Sequence, residues 1–385
     1  MTPRKSRPPG PERSQPLLNR LTPRLFIAAT RQDEGKTTVA LGLFHALKNR
    51  FREIGYIKPV GQRCVDVNGL SIDEDSLLME RTYGVRVPIE DMSPLAIGKQ
   101  FTRRFLASDA TEHPLVERLH RAFDRAGWEK DFVIVEGSGH AGVGSVFGLS
   151  NARIAHILDC PAVIVTRGGI GDPVDDVSLS LALFEKHNAR VIGVIFNKVL
   201  PDKIDVVREF AGRALRRMGV GLLGIIPAEP LLAQPTAAQV ARDIGATFLA
   251  GQEHARRRIA AIQFWVGQHG PPSPKKAGAL IVHAGSSSGA APLLAAIERA
   301  GDSREIACVV FCDGERPPDH VAPKLARLGV PSLAATTSAY ETAEAIQRMT
   351  VKTEPDDQDK IRLIQHLVEK HVDIDRMLKH CRRAG

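Results

Sequence analysis

Aromatic residues make up only 5% of this 385-residue chain, so its cores must be built from Val, Ile, Leu and Ala. Long apolar runs are missing: none approaches the roughly 20 residues that a membrane-crossing helix needs. The opening stretch "MTPRKSRPPGPERSQPLLNR" has no apolar segment of the kind a secretory signal carries. It is Arg-rich and acid-poor, as organelle transit peptides are, but nothing else in the sequence supports that reading. Cysteine is scarce, at 64, 160, 308, 312 and 381. An odd, scattered set excludes a disulfide framework and fits a reducing cytoplasm. Cys308 and Cys312, in "CVVFC", have no His at ligand spacing, so core packing accounts for them better than a metal does.

A concentrated basic surface is also absent. The net charge is +8, but residues 1–24 hold +5 of it, through Arg4, Lys5, Arg7, Arg13, Arg20 and Arg24 against Glu12. The remaining body is only +3, with interspersed signs and little aromatic interleaving, which argues against a nucleic-acid partner. Residues 1–23 are Pro-rich and polar and read as a disordered tail. The length is too great for one ordinary domain and suits two.

Apolar runs alternate with helical patterns. "RLFIAA", "IGYIKPV", "DFVIVE", "PAVIV", "RVIGVIFN" and "GLLGII" are mostly continuous Val, Ile and Leu runs, as parallel strands buried on both faces should be. Between them, "TTVALGLFHALKNRF", "HPLVERLHRAFDRAG" and "DDVSLSLALFEKHN" have helical spacing. Strand and helix in alternation make an α/β fold with a doubly wound parallel sheet. "QEHARRRIAAIQFWV" reads as a further helix, and "GQHGPPSPKKAG", with three prolines and three glycines, as a linker over 267–278. The expected division is therefore 24–266, linker, and a smaller α/β domain over 279–385. Its strand candidates are "ALIVHA", "ACVVFC" and "VPSLAA". "AAPLLAAIERAG", "DHVAPKLARLG" and "AYETAEAIQRM" read as helices, and "QDKIRLIQHLVEKHVDIDRML" as one final helix with Ile361, Ile364, Leu367 and Val368 on one face.

Candidate chemistry gathers at strand ends. In "RLFIAATRQDEGKTTVALGL" a strand runs through a polar loop into a helix. A phosphate loop aims backbone N–H groups at phosphate oxygens from a helix start, with a lysine on the β- and γ-phosphates and a Ser or Thr hydroxyl on Mg²⁺. Gly35, Lys36, Thr37 and Thr38 occupy those places. Strict G-x-x-x-x-G-K-S/T spacing fails, because Thr30 replaces the first glycine. Glu136 ends the "DFVIVEGSGH" strand, where a Mg²⁺ ligand belongs. Lys58 ends the strand of "GYIKPVGQ", Asn197 that of "VIFNKV", and Pro227 and Glu229 follow the last strand in "GIIPAEP". Five such features at one sheet edge point to a nucleotide-binding protein.

Their order resembles the dethiobiotin synthetase-like P-loop NTPases. Over residues 24–266 the pattern is nearest to the amino-terminal region of long bacterial phosphotransacetylases, through "IPAEPLLAQPTAAQVARDIGATFLAG". Residues 279–385 resemble the small DRTGG domain that follows there, through "TTSAYETAEAIQRM" and "HVDIDRML", although the motif naming that domain is degraded to "HAGSSSGA". The phosphotransacetylase catalytic domain is not within these 385 residues, so that activity is not expected. The resemblance implies ATP and Mg²⁺ as cofactors and a homodimer. It implies Lys36 and Lys58 as catalytic, Asn197, Pro227 and Glu229 as further nucleotide contacts, and Thr37, Glu136 and either Asp73 or Asp75 of "SIDEDS" as metal ligands. Ala29 replaces the family's first loop glycine, and Arg31, Asp33 and Glu34 replace its small and polar loop residues. Asp33 and Glu34 are expected to point outward, where water screens them. Two functions remain open. One is a nucleotide-binding regulator whose small domain senses a metabolite. The other is an ATP- and Mg²⁺-dependent ligase-like enzyme that phosphorylates a carboxylate or carbamate. No amidotransferase cysteine with a His partner is apparent, which argues against the related cobyrinate amidases.

Overall fold

The computed structural model describes residues 19–98, 100–265, 277–284, 290–300 and 305–381. Most of the expected tail, of the linker and of "HAGSSSGA" lies outside these residues. The chain forms two units. The first joins residues up to Ala228 with those from Thr353 onward, and the second runs from Glu229 to Lys352. This differs from the expected boundary at 267–278, because the last two helices belong to the first unit.

The first unit is built on six strands. They are β1 (Arg24–Ala29), β2 (Ile54–Ile57), β3 (Phe132–Glu136), β4 (Ala162–Arg167), β5 (Val191–Val199) and β6 (Leu222–Pro227). Their order is β6-β5-β4-β1-β3-β2, and every pairing is parallel. The chain winds first to one side of β1 and then to the other, which is the doubly wound arrangement expected from the uninterrupted apolar runs. Leu25, Phe26, Ile27, Val133, Ile134, Val163 and Ile164 are wholly buried. The register sets Ile27 beside Glu136 and Arg167 beside Asn197, so the carboxyl ends of neighbouring strands come level. The polar residues picked out of the sequence stand there.

Helix α1 (Lys36–Lys48) follows β1 directly. Its one interior glycine has a packing reason. A Cβ on Gly42 would lie 2.4 Å from Val368 Cγ2 and 3.0 Å from the Ile364 carbonyl oxygen. The partner is α11 (Gln358–His371), in a numbering that leaves out the short helices Ile89–Met92, Phe101–Leu106 and Ile204–Val206. Between the two come α2 (Glu74–Tyr83), α3 (His113–Ala126), α4 (Asn151–Ile157), α5 (Asp172–Lys186) and α6 (Gly212–Arg217). The second unit supplies α7 (Ala237–Asp243), α8 (Ala290–Ala300), α9 (Val321–Arg327) and α10 (Ala339–Arg348), and α11 (Gln358–His371) returns the chain to the first unit. Ile361, Ile364, Leu367 and Val368 of α11 are buried. Tyr83 ties the layers together: it stacks on Phe44, donates to the Leu41 carbonyl and accepts from Gln365.

The expected single closing helix is two. The chain extends at Val372, where Asp373 N donates to the Leu223 carbonyl of β6, and α12 (Ile374–Cys381) then begins. Competing hydrogen bonds to the sheet broke a helical pattern that was otherwise continuous.

The second unit has its own five-stranded sheet. Strands β7 (Thr247–Ala250), β8 (Ala261–Trp265), β9 (Ala279–His283), β10 (Ile306–Phe311) and β11 (Ser332–Ala334) pack in the order β7-β11-β10-β9-β8. The β7–β11 pair is antiparallel and the others are parallel. "QEHARRRIAAIQFWV", expected as a helix, gives a short turn at Gln252–His254 and then β8. Pairing with β9 overrides its helical spacing. Cys308 and Cys312 are buried in this unit's core, as expected of packing residues. No helix among the described residues is long and apolar enough to cross a membrane.

Candidate nucleotide site

Between β1 and α1 the backbone turns back on itself. Asp33 and Gly35 both have left-handed φ values, 62° and 98°. At Gly35 only glycine fits: a Cβ there would meet Asn197 Nδ2 at 2.1 Å. Gly35 is the N-cap of α1 and brings no side chain to the first-turn N–H groups, so these remain available to an anion.

Lys36 heads the helix with only 7% of its surface exposed. Its Nζ donates to the Gly139 carbonyl at 2.7 Å. Burial pulls its pKa from the ordinary 10.5 to about 8, with Glu136 opposing that fall. Thr37 Oγ1 donates to Glu136 Oε1 at 2.6 Å, and Tyr56 donates to Glu136 Oε2 at 2.8 Å. Burial pushes the Glu136 carboxyl up and Lys58 pulls it back.

Lys58 is the hub of the neighbouring acids. Its Nζ pairs with Asp75 and lies 3.3 Å from Asp73 Oδ1 and 3.4 Å from Glu136 Oε1. Burial alone would lower its pKa. The carboxylates of Asp75, Glu136 and Asp73 outweigh burial and hold it well above the ordinary range. Asp73 arrives at the end of a hairpin, Cys64–Val67 with Leu70–Asp73, closed at Asn68–Gly69, both with positive φ, the two-residue turn such hairpins prefer. Asp73 then caps α2. Its Oδ1 accepts from Asp75 N at 3.0 Å and its Oδ2 from Gln62 N at 3.1 Å.

On the other side of the loop, Asn197 Nδ2 donates to the Glu34 carbonyl at 2.8 Å and Lys198 Nζ to the Asp33 carbonyl at 2.6 Å. The expectation for the two loop acids holds for Asp33, which is exposed, and fails for Glu34, which is 5% exposed. Asn197 draws that part of the loop inward, and burial raises the Glu34 carboxyl pKa against the pull of Lys198, Arg167 and Arg31. Arg31 pairs with Asp176 of α5 at 2.6 Å.

The structure thus gathers Gly35, Lys36, Thr37, Lys58, Asp73, Asp75, Glu136 and Asn197. Thr38 follows in α1, and Pro227 is half-buried at the end of β6. Glu229 opens the second unit, before a turn at Pro230–Ala233. Sequence reasoning missed Tyr56 and Asn151. Asn151 Nδ2 donates to the Ser138 and His140 carbonyls, and its Oδ1 accepts from Ser138 N. Those bonds fix the loop whose Gly139 carbonyl holds Lys36. A Tyr two residues before Lys58 in "GYIKPVGQ" was the available signal for Tyr56. Nothing local marked Asn151.

A hydroxyl and a carboxylate 2.6 Å apart at the start of a helix, beside a buried ammonium, are the hard-oxygen donors and the cation that a magnesium–phosphate complex needs. Residues 23–236 match the family model described as an AAA domain. The chain belongs to that AAA domain family. Over 376 residues it is 27% identical to phosphate acetyltransferase of Pseudomonas aeruginosa, covering 92% of this chain and 52% of the relative. Over 203 residues it is 25% identical to the ATP-dependent dethiobiotin synthetase BioD of Methanococcus vannielii, covering 52% of this chain and 92% of that protein. The MinD cell division protein of Aquifex aeolicus aligns with a TM-score of 0.35 at 16% identity, over 55% of this chain and 84% of that one. Both relationships read from the motifs are thereby borne out. The chain spans about half the length of the phosphate acetyltransferases it matches. The family and the dethiobiotin synthetase relatives support nucleotide binding by this domain.

Proposed function

We propose that this AAA domain binds Mg·ATP and works as a nucleotide-dependent regulator, with the DRTGG-like residues 279–385 receiving a small-molecule metabolite. Lys36 carries the reading. An ammonium only 7% exposed, with its pKa near 8, beside uncapped helix N–H groups, is stabilised by a bound polyanion. In this reading Lys36 binds the β- and γ-phosphates. Thr37 and Glu136 hold the Mg²⁺, which supplies charge neutralisation when bound. Asp75 is favoured over Asp73 as a further ligand, because both oxygens of Asp73 already accept backbone N–H groups. Asn197 fixes the P-loop and, with Pro227 and Glu229, is proposed to face the base. The regulatory role is supported by Lys58, whose ammonium is already engaged by the carboxylates of Asp73, Asp75 and Glu136. The resemblance to dethiobiotin synthetases brings a homodimer into the proposal, which sedimentation equilibrium reads.

Calorimetry with ATP, with and without Mg²⁺, tests the site. Lys36→Ala should weaken Mg·ATP binding at least tenfold, about 1.4 kcal/mol. Equal affinity in wild type and variant removes the P-loop assignment.

One observation favours the ligase reading. Lys58 is 3.4 Å from Glu136, which bonds Thr37, so its ammonium is one side chain away from the proposed Mg²⁺. There it would stabilise charge on a phosphoryl group moving from ATP to a carboxylate or carbamate. Phosphate release stimulated by a carboxylate or by acetyl phosphate would favour this reading. Tight binding without turnover favours the regulator.

A further inference from the structure

Lys58 occupies a place that calls for a cation. It faces Asp73, Asp75 and Glu136, and the side chains of all four are at most 8% exposed. The Glu136 oxygen nearest to Lys58 Nζ, Oε1, is the one that accepts the Thr37 hydroxyl. The ammonium is therefore one oxygen away from the donor pair assigned to Mg²⁺. Two ammoniums, Lys58 and the neighbouring Lys36, face three buried carboxylates, which leaves the cluster short of positive charge, and burial makes that shortage expensive. A divalent cation can supply the charge only by taking oxygens that Lys58 now holds. Asp73 is not among the oxygens free to change hands, since it caps α2 and accepts Gln62 N. The oxygens proposed to change hands are Asp75 Oδ2 and Glu136 Oε1, the two that Lys58 reaches beside Asp73.

We propose that Lys58 is a placeholder for the divalent cation. This rests on the reading of the P-loop as a Mg·ATP site. Without nucleotide, Lys58 compensates the acids and keeps a metal ion from binding alone. When nucleotide phosphates supply further oxygen ligands, Lys58 gives up Asp75 and Glu136 and stays against Asp73. Metal and nucleotide then bind as a cooperative pair, each raising the affinity for the other by the same factor.

The test uses Mn²⁺ as the probe, with free Mn²⁺ read by electron paramagnetic resonance in the full chain without nucleotide. Lys58→Met and Lys58→Gln should bind Mn²⁺ at least tenfold more tightly than wild type. Adding Asp75→Asn to Lys58→Met should erase the gain. Folded Lys58 variants within twofold of wild type overturn the proposal. If neither variant folds, wild type decides through the ¹⁵N resonance of the Lys58 ammonium. That resonance should hold still with Mg²⁺ alone and shift with Mg²⁺ plus a non-hydrolysable ATP analogue; a resonance that never moves overturns the proposal. A gain in Mn²⁺ affinity without any Mg·ATP binding by wild type supports the placeholder and removes the nucleotide reading instead.

Discussion

Replacing Lys36 with methionine should stabilise the ligand-free protein while abolishing its nucleotide binding. The fall in the Lys36 pKa from 10.5 to about 8 measures how much the fold disfavours the charged form. At about 1.4 kcal/mol per pH unit, that is about 3 kcal/mol of destabilisation at neutral pH. Methionine keeps most of the methylene packing and loses the bond to the Gly139 carbonyl, worth about 1 kcal/mol. The expected net gain is about 2 kcal/mol. The pH dependence follows from the sign. Between about 8 and 10.5 the unfolded chain holds the Lys36 proton more tightly than the folded one, so wild-type stability rises with pH in that window. The advantage of Lys36→Met is full below pH 8 and shrinks above it. Hydrogen-exchange protection of the β1 and α1 peptides, in EDTA and without nucleotide, reads the difference at pH 7 and pH 9.5 locally in the first unit. A variant less stable than wild type at pH 7, or a gap that does not narrow by pH 9.5, would refute the argument that Lys36 is a strained cation awaiting an anion.

Three further outcomes follow from the same geometry. Glu136→Gln should weaken ATP binding about tenfold in Mg²⁺ and leave binding in EDTA nearly unchanged by calorimetry; an equal effect in both would make Glu136 only an acceptor for Thr37 and Tyr56. Asn197→Ala uncouples the Glu34 carbonyl and should cost about 1–2 kcal/mol of nucleotide affinity with its Mg²⁺ dependence intact; unchanged affinity would mean that the loop holds its shape unaided. A fragment ending at residue 266 lacks α11, whose Leu367 is 3% exposed, and should not fold on its own, while Leu367→Ala in the full chain should cost about 2–5 kcal/mol in chemical denaturation. A soluble, cooperatively unfolding 1–266 fragment would show that α11 only decorates the sheet.

The six strands of the main sheet were legible because each is an unbroken apolar run, and the polar residue at each run's end came out at one edge. Lys36, Thr37 and Glu136 were legible for the same reason. Where sequence reading failed, contacts distant along the chain decided the outcome. The helical spacing of 252–266 lost to pairing with β9, and α11 with α12 lost continuity to one bond with β6. The Pro- and Gly-rich stretch at 267–278 looked like a boundary, but composition cannot show that residues 358–381 return to pack on the first unit. Glu34 was misjudged because charge alone was weighed, whereas the inward pull comes from Asn197, over 160 residues away. The acids near 73 do lie close to Glu136, yet nothing in their spacing said that Lys58 would be held among them.

The return of α11 to the first unit also governs the order in which the protein can be made. Leaving the ribosome, all six strands of the nucleotide unit are complete by residue 227, but the face of α1 that carries Gly42 has no cover until α11 follows, more than 130 residues later. The second unit, contiguous from Glu229 to Lys352, is finished before the first is closed. The usual amino-terminal-first sequence of domain folding is therefore inverted, and the nascent chain passes through an interval in which an apolar helix face stays exposed. Closing that face is a long-range event in the chain, so it should be the slow step of folding. A ribosome stalled between residues 352 and 358 would hold a nucleotide unit that is not yet protected, and a chaperone that recognises apolar surface would find its client there.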